Sequence, residues 1–148
     1  MPQLQAAPRP GLDPRISTAI RSTPLVFALV LLGSGLAMLD PGLRPDDGIA
    51  GGLLRVDALS AYFLFLVGAV ALTVTWSGAS GLGTSGAAVR YAGWLTLFLG
   101  AMTLTVLADN LGVMWVGIEG TTIATAFLVG HRGDRRAVEA AWKYVILG

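Results

Sequence analysis

The sequence predicts an all-α membrane protein: four transmembrane helices plus an incomplete fifth. Three observations carry that prediction. Charged residues make up 13% of the 148 positions against 54% hydrophobic ones, where a soluble domain carries about 25% charge. The mean hydropathy of +0.69 suits lipid better than water as solvent. The apolar residues also fall into four runs of spanning length, divided by turn-forming or charged segments.

Composition removes several function classes. A net charge of +1 with no basic, aromatic-interleaved patch argues against a nucleic-acid partner. With no cysteine, disulfides, thiolate metal sites and cysteine nucleophiles are excluded together. His131 is the one histidine, too few for a metal centre. The glycines of "SGASGLGTSG" lack the Lys-Ser/Thr that completes a phosphate-binding loop. The chain is therefore expected to hold no catalytic residue, cofactor or metal of its own.

Residues 1–22 are rich in Pro, Gln and Arg without a sustained apolar period, and read as a disordered tail, at least to Asp13. Residues 23–148 read as a partial helical membrane domain. Its first span covers about 23–39; the long tail and the absence of an A-x-A site favour a retained helix over a signal peptide. "DPGLRPDDGIAGG" is a loop. The second span covers about 58–76, with Asp57 placed to cap it. A Gly/Ser-rich connector leads to the third span, 91–108. Asp109 and Asn110 make a tight turn into the fourth, 111–130. "HRGDRR" ends that helix, and Asp134 is the candidate cap of a fifth, 135–148, which the sequence leaves incomplete. His131 reads as interfacial and solvated. Trp76, Trp94, Tyr91 and Tyr62 read as membrane packing or interfacial anchors.

Basic residues orient the spans. Arg9, Arg15, Arg21, Arg90, Arg132, Arg135 and Arg136 share one side if the spans alternate, and only Arg44 and Arg55 take the other. Retention of Lys and Arg in the cytoplasm puts the tail there, in a multi-pass protein of the plasma membrane.

One residue conflicts with this apolar setting. In "WVGIEGTTIATAFLVG" (115–130), Glu119 stands eleven residues before Gly130, about 16 Å along a helix and near the middle of a hydrocarbon core about 30 Å thick. A carboxyl there costs at least a few kcal/mol unless it faces protein or water. Thr122 at i+3 and Trp115 at i−4 share its face, and Gly117, Gly120 and Ala124 would let a neighbouring helix approach. Two readings stand. A neutral glutamic acid would hydrogen-bond between helices as packing glue. A titrating one would load and release a proton or cation, the use for which intramembrane carboxylates are usually kept. Lys143 also has two readings. Glu139 at i−4 stands in the favourable order for an ion pair at the cytoplasmic surface. Alternatively Lys143, about 12 Å into its helix, sits at a height near that of Glu119.

Three stretches, "LRVDALSAYFLFLV", "VLADNLGVMWVGIEGTTIATAFLVG" and "AVEAAWKYVILG", resemble consecutive parts of the antiporter-like proton-channel subunits of respiratory complex I, Mrp-type antiporters and membrane-bound hydrogenases. The run E-G-T-T-I-A-T-A followed by E-A-A-W-K-Y is most similar to the hydrogenase-4 component F branch. The resemblance covers about residues 53–148. It implies that Glu119 is the fifth-helix glutamate that tunes a pumping lysine, and that Lys143 is a lysine near the start of the sixth helix. Asp57 and Asn110 fall on recurrent structural positions. It implies partners too: the lipid bilayer and other membrane and redox subunits of a multisubunit complex, which would carry the redox chemistry. Members of this family have about fourteen helices in two inverted repeats. The chain is accordingly expected to be a fragment or truncation covering helices two to five and the opening of six, without the pumping lysine of the seventh.

Three functions follow as expectations. The first is a partial proton-translocating subunit of an NADH dehydrogenase- or hydrogenase-type oxidoreductase, with Glu119 and Lys143 on the proton path and Thr122 and Glu139 supporting. The second is a non-conducting structural or assembly protein. The third is an unrelated small transporter with Glu119 as its cation site.

Overall fold

In the computed structural model, residues 13–45, 48–79, 86–131 and 135–147 are described. They form five helices: α1 (Pro14–Ala37), α2 (Ala58–Ala79), α3 (Gly86–Leu107), α4 (Leu111–Gly130) and α5 (Arg135–Leu147). The first four are long and apolar enough to cross a membrane. The cap expected at Asp134 and the state of residues 1–12 lie outside the described residues.

The largest correction to the sequence reading is the start of α1. It begins at Pro14, not near Thr23, so residues 14–22 are helical instead of part of a disordered tail. The physical reason is local. Asp13 accepts the N–H of Arg15, with Pro at the first helical position. Once the apolar run has nucleated the helix, extending it outward costs little per residue. α3 likewise starts five residues before the expected Tyr91, at Gly86.

Small residues set the packing. Gly35 of α1 lies against the backbone of Phe65, and Gly68 of α2 against the backbone of Leu32, so the two main chains touch at reciprocal points. Gly117 of α4 meets Thr105 of α3, and a Cβ at Gly120 would stand 3.1 Å from that of Ala101. These contacts make α1–α2 and α3–α4 antiparallel pairs. In space α1 sits between α2 and α3, α4 lies beyond α3, and α5 packs on α4. Among the described residues the buried hydrophobic ones are mostly alanines, including Ala28, Ala61, Ala71, Ala88, Ala92 and Ala124. No large side chain among the described residues is fully buried. Val26, Val30, Val70, Leu97 and Phe127 instead point outward, exposed. This arrangement suits lipid, where helices associate by close backbone approach and not by burying large apolar groups.

The segment between α1 and α2 ties the pairs together. Arg44 donates to the carbonyls of Met38 and Leu39 at the end of α1. Ala50, Gly51 and Gly52 all take positive φ, which folds the chain back so that Ile49 pairs with Leu54. Leu54 then bridges to Ala108, with Arg55 N–H on the Leu107 carbonyl at 2.8 Å and Asp109 N–H on the Leu53 carbonyl at 3.0 Å.

Candidate functional site

α4 positions Glu119. Asn110 starts the helix, its side chain accepting the Gly112 N–H at 2.8 Å. Gly117 and Ala124 are buried seven residues apart, which fixes the stripe that faces α3. Glu119, two residues beyond Gly117, is turned about 200° from that stripe. It is exposed on the outer surface of the helix, and among the described residues no hydrogen bond or ion pair reaches it. Along the axis it lies about 12 Å from Leu111 and about 16 Å from Gly130, so it is central in the span.

Its expected neighbours sit beside it on the helix. Trp115 is 65% exposed, an indole on the same outward face and not a lid over a closed pocket. Thr122 donates to the Ile118 carbonyl at 3.2 Å, so its hydroxyl is spent on its own helix. The glycines act as expected, but on the opposite side: they bring α3 against the back of α4 and leave the carboxylate face open.

Lys143 stands apart from Glu119. Ala141, two residues before it, packs at the end of α4, where a Cβ at Gly130 would be 3.4 Å away. Glu119 is eleven residues further back along α4. Lys143 Nζ instead donates to Glu139 Oε1 at 2.6 Å, an exposed i,i+4 pair. The structure thus brings Lys143 and Glu139 together, and brings neither to Glu119.

The remaining polar candidates are bound into the fold. Asp57 accepts the Ser60 N–H at 2.7 Å and caps α2, and that hydrogen bond holds its carboxyl below the ordinary value. Nearby Arg55 acts in the same direction. The Ser60 hydroxyl donates to the Val106 carbonyl at 3.1 Å. Asp109 pairs with Arg55 at 3.4 Å. His131 is half-buried, not merely solvated: its Nδ1 lies 2.7 Å from the Leu128 carbonyl and its ring 5.2 Å from that of Tyr91. Trp94 stacks on Phe127 at 4.1 Å between ring centres, across the α3–α4 seam. Sequence reasoning missed the Arg55–Asp109 and Ser60–Val106 ties, because both join positions about fifty residues apart and no local pattern announces them.

No family model matches the chain, and no solved structure does. Curated relatives do match. A hydrogenase-4 component F homolog of Methylacidiphilum infernorum is 45% identical over 47 residues, 32% of this chain and 10% of the relative. The NADH-quinone oxidoreductase subunit L of Mycobacterium tuberculosis is 35% identical over 89 residues, 60% of this chain and 13% of the relative. The NADH-ubiquinone oxidoreductase chain 5 of Chlamydomonas reinhardtii is 33% identical over 131 residues, 86% of this chain and 24% of the relative. The chain spans between a tenth and a quarter of the length of these relatives. It is a relative of the antiporter-like membrane subunits of respiratory and hydrogenase complexes.

Proposed function

We propose that the chain forms part of a proton-translocating, antiporter-like membrane subunit of an NADH dehydrogenase- or hydrogenase-type oxidoreductase, with Glu119 as an intramembrane carboxylate of its proton path. One observation carries the reading. Glu119 stands mid-span on the face of α4 turned away from α3, while the packing residues Gly117 and Ala124 occupy the other face. A carboxyl kept only as glue would be expected on the packed side, hydrogen-bonded to α3. On the open side it is available to water, to a partner helix or to a relay of titrating groups, which is where intramembrane carboxylates usually work. The relatives, named as subunits of NADH oxidoreductases and of a hydrogenase, support this assignment. Lys143 with Glu139 forms a second, surface-level station, and Thr122 flanks Glu119 on the same face of α4 with its hydroxyl donated to the Ile118 carbonyl. Redox chemistry belongs to partner subunits.

The tests use substitutions that separate charge from shape. Glu119→Gln keeps size and hydrogen bonding but cannot titrate. Glu119→Asp keeps the charge and loses one methylene. Pumping is measured in membranes containing the full-length subunit, normalised to assembled complex. The proton-path reading expects Gln to depress pumping severely with assembly intact, and Asp to retain a substantial share. Pumping by Gln at the wild-type rate would make Glu119 structural.

Orientation belongs to the same proposal. In it the starts of α1 and α3 and the end of α4 face the cytoplasm, a reading that the arginine bias supports. Cysteines introduced at Ser80 and Gly133 should react with a membrane-impermeant maleimide only from that side. Reaction of both from outside would invert the topology.

A further inference from the structure

At the end of the bundle where α1 and α3 finish and α2 and α4 begin, two segments far apart in sequence are bound into one clamp. An α-helix leaves its last four carbonyls without partners of its own, and residues 53–60 supply partners to those of α3. The Ser60 hydroxyl donates to the Val106 carbonyl at 3.1 Å, and the Arg55 N–H to the Leu107 carbonyl at 2.8 Å. The Asp109 N–H returns a bond to the Leu53 carbonyl at 3.0 Å, and Arg55 Nε lies 3.4 Å from Asp109 Oδ2. Ser60 is buried, and its own N–H donates to Asp57 at 2.7 Å. Arg55 therefore grips both sides of the α3–α4 turn, with its main chain on the last residue of α3 and its side chain two residues before α4 begins. Arg44, at the same end, is spent on the Met38 and Leu39 carbonyls where α1 closes.

The shortness of the turn decides what the clamp holds. Residues 108–110 alone separate α3 from α4, and Ala108 is bridged to Leu54. Such a connection has no slack to absorb a displacement. From Leu111 to Glu119 the helix runs about 12 Å, with Gly117 and Gly120 held close against α3. A shift of the turn along the membrane normal is thus passed on to Glu119, in the part of the bilayer where a carboxylate is most costly. We propose that Arg55 and Ser60 are positioning residues for Glu119: by clamping the α3–α4 turn they fix the depth at which α4 carries the carboxylate. The consequence for pumping rests on the proton-path reading, and the depth does not. Solvent screens the half-exposed ion pair, so its loss alone has a partial effect, and the buried Ser60 hydroxyl supplies the rest.

The test uses the whole 148-residue chain in phosphatidylcholine vesicles. The chain has no cysteine, so Ile123→Cys, an exposed position one turn beyond Glu119, takes a single nitroxide. Its depth is read by power saturation against oxygen and a water-soluble nickel chelate. Arg55→Gln combined with Ser60→Ala should move the label by about 1.5 Å or more, one residue of helical rise. Arg55→Lys with Ser60 retained should leave it in place, and so should Arg44→Gln. Arg55→Asp alone should shift the label, and adding Asp109→Arg should recover most of that shift. An unmoved label in the double variant, at wild-type helical content by circular dichroism, would overturn the proposal. So would an equal shift in Arg44→Gln, which would make depth a general property of this end of the bundle. If the double variant loses helical content, the reversed charge pair decides, and no recovery by Asp109→Arg would overturn the clamp. In the full-length subunit, normalised to assembled complex, the double variant should lower pumping severalfold and Arg55→Lys should keep most of it. A moved label with unchanged pumping would leave the clamp standing and count against Glu119 as a proton-path residue, so the two failures are told apart.

Discussion

At the loop end of the bundle the carboxylates are spent on structure: Asp57 caps α2 through Ser60, and Asp109 pairs with Arg55 while its N–H bonds Leu53. In the middle of α4 the opposite holds. Glu119 sits where a carboxylate is most costly, yet the described residues offer it neither ion pair nor hydrogen bond. The difference teaches how to sort polar residues in such a chain. A group at a helix end is needed by the four backbone N–H groups that the helix leaves unpaired there. A group in the middle of a helix has no such local use, and its presence calls for something beyond the fold.

The substitutions with the largest expected effects probe this contrast directly. Glu119→Gln should remove most pumping with little change in helix packing, whereas Asp57→Asn should leave pumping near wild type, since Asn caps about as well as Asp. A second large effect belongs to the packed side of α4. Gly117→Leu must push against Thr105 of α3, and overpacking of this kind costs about 1–3 kcal/mol. Thermal unfolding in detergent, followed by circular dichroism, should show a clear loss of stability. Ile118→Leu, one residue away on an exposed position, should show almost none. Equal effects at the two positions would break the assignment of faces.

A smaller effect concerns Asp57. Loss of the cap in Asp57→Ala should cost about 1 kcal/mol. Its folded-state pKa is depressed from 3.8 by the Ser60 N–H. The stability it contributes is therefore fully present above the ordinary carboxylate value, and is lost as pH falls through the lowered one. Unfolding measured from about pH 5 down to pH 3 should show an acid-side loss in wild type that Asp57→Asn lacks. An identical acid dependence in the two proteins would remove Asp57 as its source.

Much of this was legible in the sequence, for a physical reason. Spanning length and apolar content are local properties, so α2 and α4 start where the runs predict, at Ala58 and Leu111. Caps are local too, and Asp57 and Asn110 act at their own helix starts. The beginning of α1 was not legible from hydropathy, because residues 14–22 are polar and gain their helicity from the apolar run that follows. At the site, the sequence reading set Gly117, Gly120 and Ala124 near Glu119 as small residues that admit a neighbouring helix. It did not show that the close neighbour would be α3, nor that the carboxylate would face away from it. Those facts depend on which helices pair, and pairing is set by contacts far apart in the chain. Lys143 shows the same limit. Counting residues from the helix ends gave it a depth near that of Glu119, but the packing of Ala141 against Gly130 keeps it at the end of α4.

The smallest expected effect therefore falls on the pair Glu139–Lys143. Both side chains are about two-thirds exposed, 65% and 68%, so solvent screens their 2.6 Å contact. Exposed i,i+4 pairs contribute about 0.3–0.5 kcal/mol. A double-mutant cycle with Glu139→Gln and Lys143→Gln, read by thermal unfolding, should return a coupling of that size, reduced by salt. On pumping, a surface-level station predicts that Lys143→Gln in the full-length subunit lowers the rate partially, by less than Glu119→Gln, because water at the membrane surface can replace an exposed proton donor but not a mid-span one. Lys143→Arg keeps the charge and the pair but resists deprotonation at any accessible pH. If Arg restores the coupling energy yet not the rate, the lysine titrates in the proton path. If Arg restores both, or if Gln leaves the rate unchanged, Lys143 only ties one turn of α5, and the proposed proton path rests on Glu119 alone.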